Sequence, residues 1–337
     1  MSDTAEIVIG NHRYANFRKY RIEHDLYAAA GIFEFELYPD SVVPVKVGMR
    51  AQVYINGFLE LTGIIDRVVK KYSDKGRAIA VSGRDLMGLV VDSYCEDYRT
   101  ISNTNLARAA ERLLRTIPFI NRLKITTDEA ARRRDSLKPY LQPAPGDKIF
   151  DVLRGAAASR GVVFYAAANG ALHFRKPAGR GAVVTNITRR TGEANAYIIE
   201  GERTQDFSER YSKYTVITQE QGIDSEDPPL INSIASVEDA GVPYYKPLVE
   251  SIEEDSGSVR QRANMILEQR RAKSDMAKYR VKGHSQGVYN WAVDELVQVD
   301  DDELDIHEKL LIYRRVFELS REGIITELTL GEAGLVL

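Results

Sequence analysis

Over residues 5–95, apolar and polar positions alternate with a period of two. Phe33, Phe35 and Leu37 alternate with Glu34 and Glu36, the pattern of a strand with one buried face. Asn56-Gly57 separates AQVYI from FLELTG, as a type I′ turn requires where φ is positive at two successive residues. Asp74-Lys75-Gly76 supplies a second turn before Ile79 and Val81 resume the alternation. Short strands with regularly spaced turns predict a small barrel or sandwich over residues 1–97. The period then becomes helical. Ser102-Asn103-Thr104 offers capping oxygens ahead of Leu106, Ala110, Leu113, Leu114 and Ile117, and Pro118 ends the helix. A second helix is expected from about Asp147, with Ile149, Leu153, Ala156 and Ala157 on one face and Gly161 as its stop. A hairpin turning at Asn169-Gly170 completes an α+β domain over 98–180.

Residues 183–220 return to strand alternation. Gly222 to Ser256 is acidic, with Asp227-Pro228-Pro229 and Pro243, and reads as loop. A helix is expected over 258–273, where Val259, Ala263, Ile266, Leu267 and Arg270 form one stripe, and residues 278–337 are β again. The fold class is therefore α+β, mainly β. Two similar antiparallel β-barrels, 1–97 and a discontinuous 181–221 plus 278–337, flank the α+β domain, and a loop-plus-helix insertion fills 222–277.

The two strand-rich ends share a pattern. Residues 49–83 and 295–331 both run through an alternating strand, a polar turn, a longer strand, a charged Gly turn and a final strand. Ile65-Asp66-Arg67 aligns with Ile312-Tyr313-Arg314, and Gly76 with Gly323. Duplication explains the likeness, and so does the ordinary grammar of hairpins.

Bulk properties exclude more than they identify. The 337 residues can build two or three cores. A net charge of −3 gives no global pull toward nucleic acid or an anionic membrane. With Cys95 as the single cysteine there is no intrachain disulfide and no thiolate metal cage, which suits a reducing compartment. The start lacks the features of a secretory signal, and no apolar run is long enough to span a membrane.

Catalytic motifs are incomplete. His307-Glu308-Lys309-Leu310-Leu311 has leucine where a zinc-protease helix needs its second histidine. Gly179-Arg180-Gly181 starts like a dinucleotide loop but has Val184 in place of the third glycine. Asp300-Asp301-Asp302-Glu303 lacks the glycine and distal glutamate of a calcium loop and reads as a solvated hairpin tip. His12, His24, His173 and His284 are scattered, and Arg132-Arg133-Arg134 reads as a solvated helix face. No catalytic, cofactor-binding or metal residue is assigned, and no cofactor is expected.

Three stretches carry a resemblance. They are Val47-Gly48 through VYINGFLELTGIID to VSGRDLMGLVVDS, PGDKIFDVLRGAAASRGVVFYAAANGALHF (145–174), and WAVDELVQVDDDEL followed by IYRRVFELSREGIITELTLGE (291–332). On these residues the chain resembles the baseplate hub and tail proteins of Mu-like bacteriophages, the late-control-protein-D-like group of contractile tails. The resemblance implies two like barrels per chain and a homotrimeric ring of quasi-sixfold symmetry. It implies the tail tube, other baseplate proteins and a trimeric cell-puncturing spike as partners, in a virion baseplate assembled in the bacterial cytoplasm. Membrane and specific nucleic-acid partners are not expected. The acidic stretch 222–256 matches nothing in that group. Two other readings remain open: a cell-wall-degrading enzyme of a tail, and a small-barrel module for sugars or single-stranded nucleic acid.

Overall fold

The N-terminal alternation becomes seven strands: β1 (Ala5–Ile9), β2 (His12–Tyr14), β3 (Phe17–Asp25), β4 (Ile32–Leu37), β5 (Arg50–Ile55), β6 (Phe58–Ser73) and β7 (Gly76–Asp85). The structure is a computed structural model and describes residues 3–333 apart from 39–43, 75, 118, 120–124, 129–140, 159–161, 177–181, 193–196, 221–229 and 254–258. These strands lie in the order β3-β4-β7-β6-β5-β1-β2, each antiparallel to its neighbours. Phe33, Phe35 and Leu37 point into the core, as the alternation requires. Asn56 and Gly57 take φ of 51° and 81°, the conformation that the β5–β6 turn demands.

The middle of the chain holds α1 (Met87–Asp92), α2 (Leu106–Leu114), β8 (Ile125–Thr127), α3 (Ile149–Ala158), β9 (Val163–Ala166) and β10 (Leu172–Arg175). The cap of α2 is Asn105, whose side chain accepts from Arg108 N at 3.0 Å, one residue beyond the expected capping run. β10 pairs antiparallel with β9 and parallel with β8. The helices and this small sheet close a second core in which Phe164 stacks on Phe174 at 4.4 Å.

The C-terminal part comprises β11 (Val183–Arg189), β12 (Ile198–Gln205), β13 (Lys213–Glu220), β14 (Leu230–Glu238), β15 (Pro247–Glu253), α4 (Val259–Lys273), β16 (Asp275–Lys282), β17 (Ser285–Gln286), β18 (Tyr289–Asn290), β19 (Leu296–Asp301), β20 (Ile306–Ser320) and β21 (Gly323–Glu332). The stretch read as an acidic loop contains two strands. β13 lies between β14 and β15 in a separate sheet, antiparallel to the first and parallel to the second. Its inner face, through Tyr214 and Val216, packs on Ala263 and Ile266 of α4. The small sheet therefore begins at Lys213, inside the segment assigned to a second barrel. Charged and Pro-rich neighbours hide a strand that needs only one buried face.

The barrel expectation is also corrected. Among the described residues neither strand set closes on itself. Both belong to one sheet, ordered β12-β16-β21-β20-β3-β4-β7-β6-β5-β1-β2, with β19 on the first part of β20 and β11 beside β19. The β11–β19 pair is parallel, so the second set is not wholly antiparallel. One apolar core runs through both sets, from Ile7, Phe33 and Val53 to Tyr279, Trp291 and Leu330. Closure failed to emerge from the alternation because alternation marks buried faces and leaves edges undefined.

The two sets nevertheless repeat one another. The chain order β3, β4, β6, β7 occurs again as β12, β16, β20, β21, with the same neighbours. In the β6–β7 hairpin Gly63 faces Asp85 and Ser73 faces Gly76, with a bulge between Ile65 and Arg67. In β20–β21 Leu310 faces Glu332 and Ser320 faces Gly323, with a bulge between Ile312 and Arg314. Every one of these positions is displaced by the 247 residues that separate Gly76 from Gly323, both of which have positive φ.

Candidate functional site: the seam between the strand sets

The longest contact between the two sets is a strand pairing. Ile306–Leu311 of β20 pairs with β19, and Arg314–Leu319 pairs antiparallel with Asp25–Tyr20 of β3. Leu26 N donates to Tyr313 O at 2.9 Å and extends the ladder. On the outer side Arg314 donates to Glu23 at 2.7 Å and Glu327 at 2.6 Å, and Arg21 lies 3.8 Å from Glu318. Burial opposes ionisation of Glu23, but bonds from Arg314 and Arg21 outweigh it and hold its carboxyl below the usual range. These half-exposed pairs fix register more than they add stability.

Behind the ladder lies a buried polar network. Arg315 is 1% exposed. Its Nη1 donates at 2.7 Å both to Glu60 Oε2 on β6 and to Trp291 O, and its guanidinium carbon sits 3.9 Å from the Phe317 ring centroid. Asn290 Nδ2 donates to the other Glu60 oxygen at 2.7 Å and to Ile55 O at 3.0 Å. Asn56 Nδ2 donates in turn to Asn290 Oδ1 and Asp3 Oδ1. Asp3 accepts from His284 N at 2.9 Å and from Ser285 Oγ at 3.3 Å. One connected set of hydrogen bonds thus ties the N-terminal set to the β16–β19 region. A buried guanidinium is tolerated there because its charge meets a carboxylate and two further acceptors are satisfied around it.

His284 is, like His24, a neutral member of this seam. Thr326 Oγ1 donates to Gly283 O, so it must accept from His284 Nδ1–H, leaving Nε2 to accept from the Tyr20 hydroxyl at 2.8 Å. Burial lowers the imidazole pKa to about 4, with Asp3 opposing and Arg315 reinforcing the shift. The folded value lies below the unfolded one, so the unfolded chain binds the extra proton. Stability contributed by neutral His284 is complete above about pH 6.5 and is lost as pH falls toward 4. The loss should reach roughly 3 kcal/mol at about 1.4 kcal/mol per tenfold change. Asp85 acts oppositely. Burial raises its pKa to about 7 against hydrogen bonds from Gly31 and Met87, so its contribution fades as pH rises toward 7. Urea unfolding of wild type and His284→Gln at pH 7 and 4.5 separates the two groups. The wild type should lose more stability on acidification than the variant, and equal losses would exclude His284 as the sensor.

The sequence-derived candidates fall elsewhere. His307 is exposed, 3.8 Å from Asp300 and 3.9 Å from Asp302, while Leu311 is buried in the core. Among the described residues no group of His, Cys, Asp and Glu is arranged to hold a metal ion. The acidic run at 300–303 is not wholly solvated. Asp301 is buried and accepts from Tyr279 Oη at 2.9 Å and from the amides of Glu303 and Leu304. His12 lies exposed on β2, and His173 on β10 contacts Thr126 and stacks on Tyr165. His24 and His284 alone among the histidines belong to the seam, His24 through a 3.3 Å contact with Arg315. Arg84 of the Gly-Arg-Asp triplet is held by Asp66 and Asp92. Gly179-Arg180-Gly181 and Arg132-Arg133-Arg134 lie outside the described residues. A surface depression of about 590 Å³ beside Asp3, Tyr20 and Tyr38, and one of about 440 Å³ beside Tyr94, Lys148 and Asp151, bring together no nucleophile and base.

The seam residues Glu60, Asn290, Trp291 and Arg315 carried no signal in the sequence. Each is a lone residue in strand or turn text, with its partner 24 to 255 positions away.

Comparisons with known proteins agree with this architecture. Residues 4–85 match the family of Mu phage baseplate assembly protein GpP-like, N-terminal. No curated protein sequence matches the chain. Among solved structures, a tail protein from Neisseria meningitidis superposes with a TM-score of 0.83 at 22% identity, covering 98% of this chain and 97% of that one. The 43 kDa tail protein of prophage MuSo2 from Shewanella oneidensis gives 0.81 at 22% identity, covering 98% of both. An E. coli component of the type VI secretion system, described as structurally similar to T4 bacteriophage tail proteins gp27 and gp5, gives 0.58 at 11% identity, covering 96% and 76%. Residues 4–85 are thus similar to the N-terminal domain of the Mu phage baseplate assembly protein GpP-like family, and the chain shares, along almost its whole length, the fold of these phage tail proteins.

Proposed function

We propose that this chain is a structural hub of a contractile phage-tail baseplate: a homotrimeric ring of quasi-sixfold symmetry that joins the tail tube to a trimeric spike. The observation that carries the reading is the internal repeat, in which two strand sets in one chain share order, register and bulge. Three such chains present six near-equivalent units to a sixfold partner and three whole-chain units to a threefold one. The kinship with baseplate proteins supports the setting. A role in assembly rather than catalysis accords with a polar network spent on holding the halves together.

Light scattering of the purified protein should give the mass of three chains, and a pull-down should retain the cognate spike protein. A ring of this kind should bury upwards of roughly 2,000 Å² per interface, so the trimer should persist at micromolar concentration. A stable monomer there would overturn the proposal.

A further inference from the structure

The repeat extends beyond the hairpins to the strands that form the seam. Tyr20 faces Phe35 in β3–β4, and Gly201 faces Tyr279 in β12–β16. Each pair of strands has a register shift at its outer end, between Phe17 and Lys19 in one and between Ile198 and Glu200 in the other. The next pairs along correspond too, Ile32 with Arg84 in β4–β7 and Met276 with Gly331 in β16–β21. β12 is therefore the counterpart of β3, residue for residue, and Arg67–Tyr72 of β6 is the counterpart of Arg314–Leu319 of β20.

The environments of these counterparts differ in one respect. β3 is bonded on both sides, to β4 and β20. β12 is bonded to β16 on one side, and on its other side no strand lies among the described residues. Arg314–Leu319 is bonded to both β21 and β3. Among the described residues Arg67–Tyr72 is bonded to β7 alone, because the pairing with β5 ends at Ile64 and Arg50 and the last backbone bond on that edge is at Ile65. Each chain thus contains one completed seam and the two separated edges of a second.

We infer that β12 of one copy pairs antiparallel with Arg67–Tyr72 of the next, in the register of the β3–β20 seam. The inference rests on the ring reading above and supplies its interface. Transferring the register sets Arg67 opposite Asp206, Val69 opposite Thr204, Lys71 opposite Glu202 and Tyr72 opposite Gly201. The charges suit the pairing. The β6 edge carries Arg67, Lys70 and Lys71, and the facing stretch carries Glu202 and Asp206. Lys70 meets Arg203, but Arg203 is already held by Asp275 through bonds of 2.9 and 2.7 Å. Tyr72, 89% exposed in the single chain, falls opposite a glycine that offers no competing side chain. Lysines on an open edge discourage indiscriminate strand pairing, and here the acidic edge of β12 is the one that complements them. Because the two edges are different surfaces, the contact is head-to-tail, and both of them are covered in every copy only when the ring closes.

The test is Val69→Cys/Thr204→Cys in the full chain. The native Cys95 is buried and does not compete. Mild oxidation should give covalent dimers and trimers on a non-reducing denaturing gel. Val69→Cys/Arg203→Cys, one residue out of register and on the opposite face, should remain single chains. Independently, Lys71→Glu should weaken assembly by about tenfold or more, since like charges then face each other, and Lys71→Glu/Glu202→Lys should restore it. A trimer by light scattering that neither cross-links in register nor responds to the charge swap places the interface elsewhere and leaves the ring intact. A monomeric wild type removes both the ring and this interface.

Discussion

Replacing Arg315 by alanine is expected to cost roughly 3–5 kcal/mol, the range for removing one partner of a buried ion pair. Glu60 would lose the cation that neutralises it while remaining buried, and Trp291 O would lose a donor. The stacking over Phe317 would go as well, leaving a cavity where the guanidinium now sits. Chemical denaturation of the variant should show an earlier midpoint, and the transition should broaden or split as the strand sets lose their common support. The double variant Glu60→Gln/Arg315→Met should recover much of the loss, because it removes both charges and keeps the volume. If Arg315→Ala unfolds at the wild-type midpoint, the network does not hold the two sets together.

Val53→Asp is expected to be more severe. Val53 is fully buried on β5, between Leu61 of β6 and Ile7 of β1. A carboxylate there would be set between the apolar side chains of Leu61 and Ile7 in the core, so it must either ionise at a high desolvation cost or fold protonated. Either course should exceed about 4 kcal/mol, the upper end of ordinary point substitutions. The variant should be largely insoluble, and any soluble fraction should lack the oligomeric mass of wild type. Val53→Ala, which deletes two methyl groups and adds no charge, should remain folded with a loss of about 1–3 kcal/mol. Normal solubility and mass for Val53→Asp would mean that β5 turns its other face inward.

Much of the local structure is legible in the residues. Alternation at Phe33, Phe35 and Leu37, the turns at Asn56-Gly57 and Gly76, and the helical stripes at Leu106 and Val259 all mark elements that form. The repeat between Ile65-Asp66-Arg67 and Ile312-Tyr313-Arg314 is a real correspondence, because both middle residues are bulges in matching hairpins. What the residues do not disclose is which edges meet. β14 and β15 are hidden by acidic and proline-bearing neighbours, and β13 has the same alternation as the strands of the large sheet. The seam is illegible for a related reason: Glu23 and Arg314 are 291 positions apart, and nothing beside either of them names the other. Long-range pairing of this kind is set by topology and burial, not by local preference.

The β3–β20 ladder also has a mechanical side. Its hydrogen bonds run perpendicular to the strands, so a load directed along β20 strains all six pairs from Arg314–Asp25 to Leu319–Tyr20 at once. A load directed across the strands would instead open them one after another, like a zip. A chain whose halves are joined by this ladder therefore withstands sliding better than peeling, and stress is best borne in the direction in which β20 points.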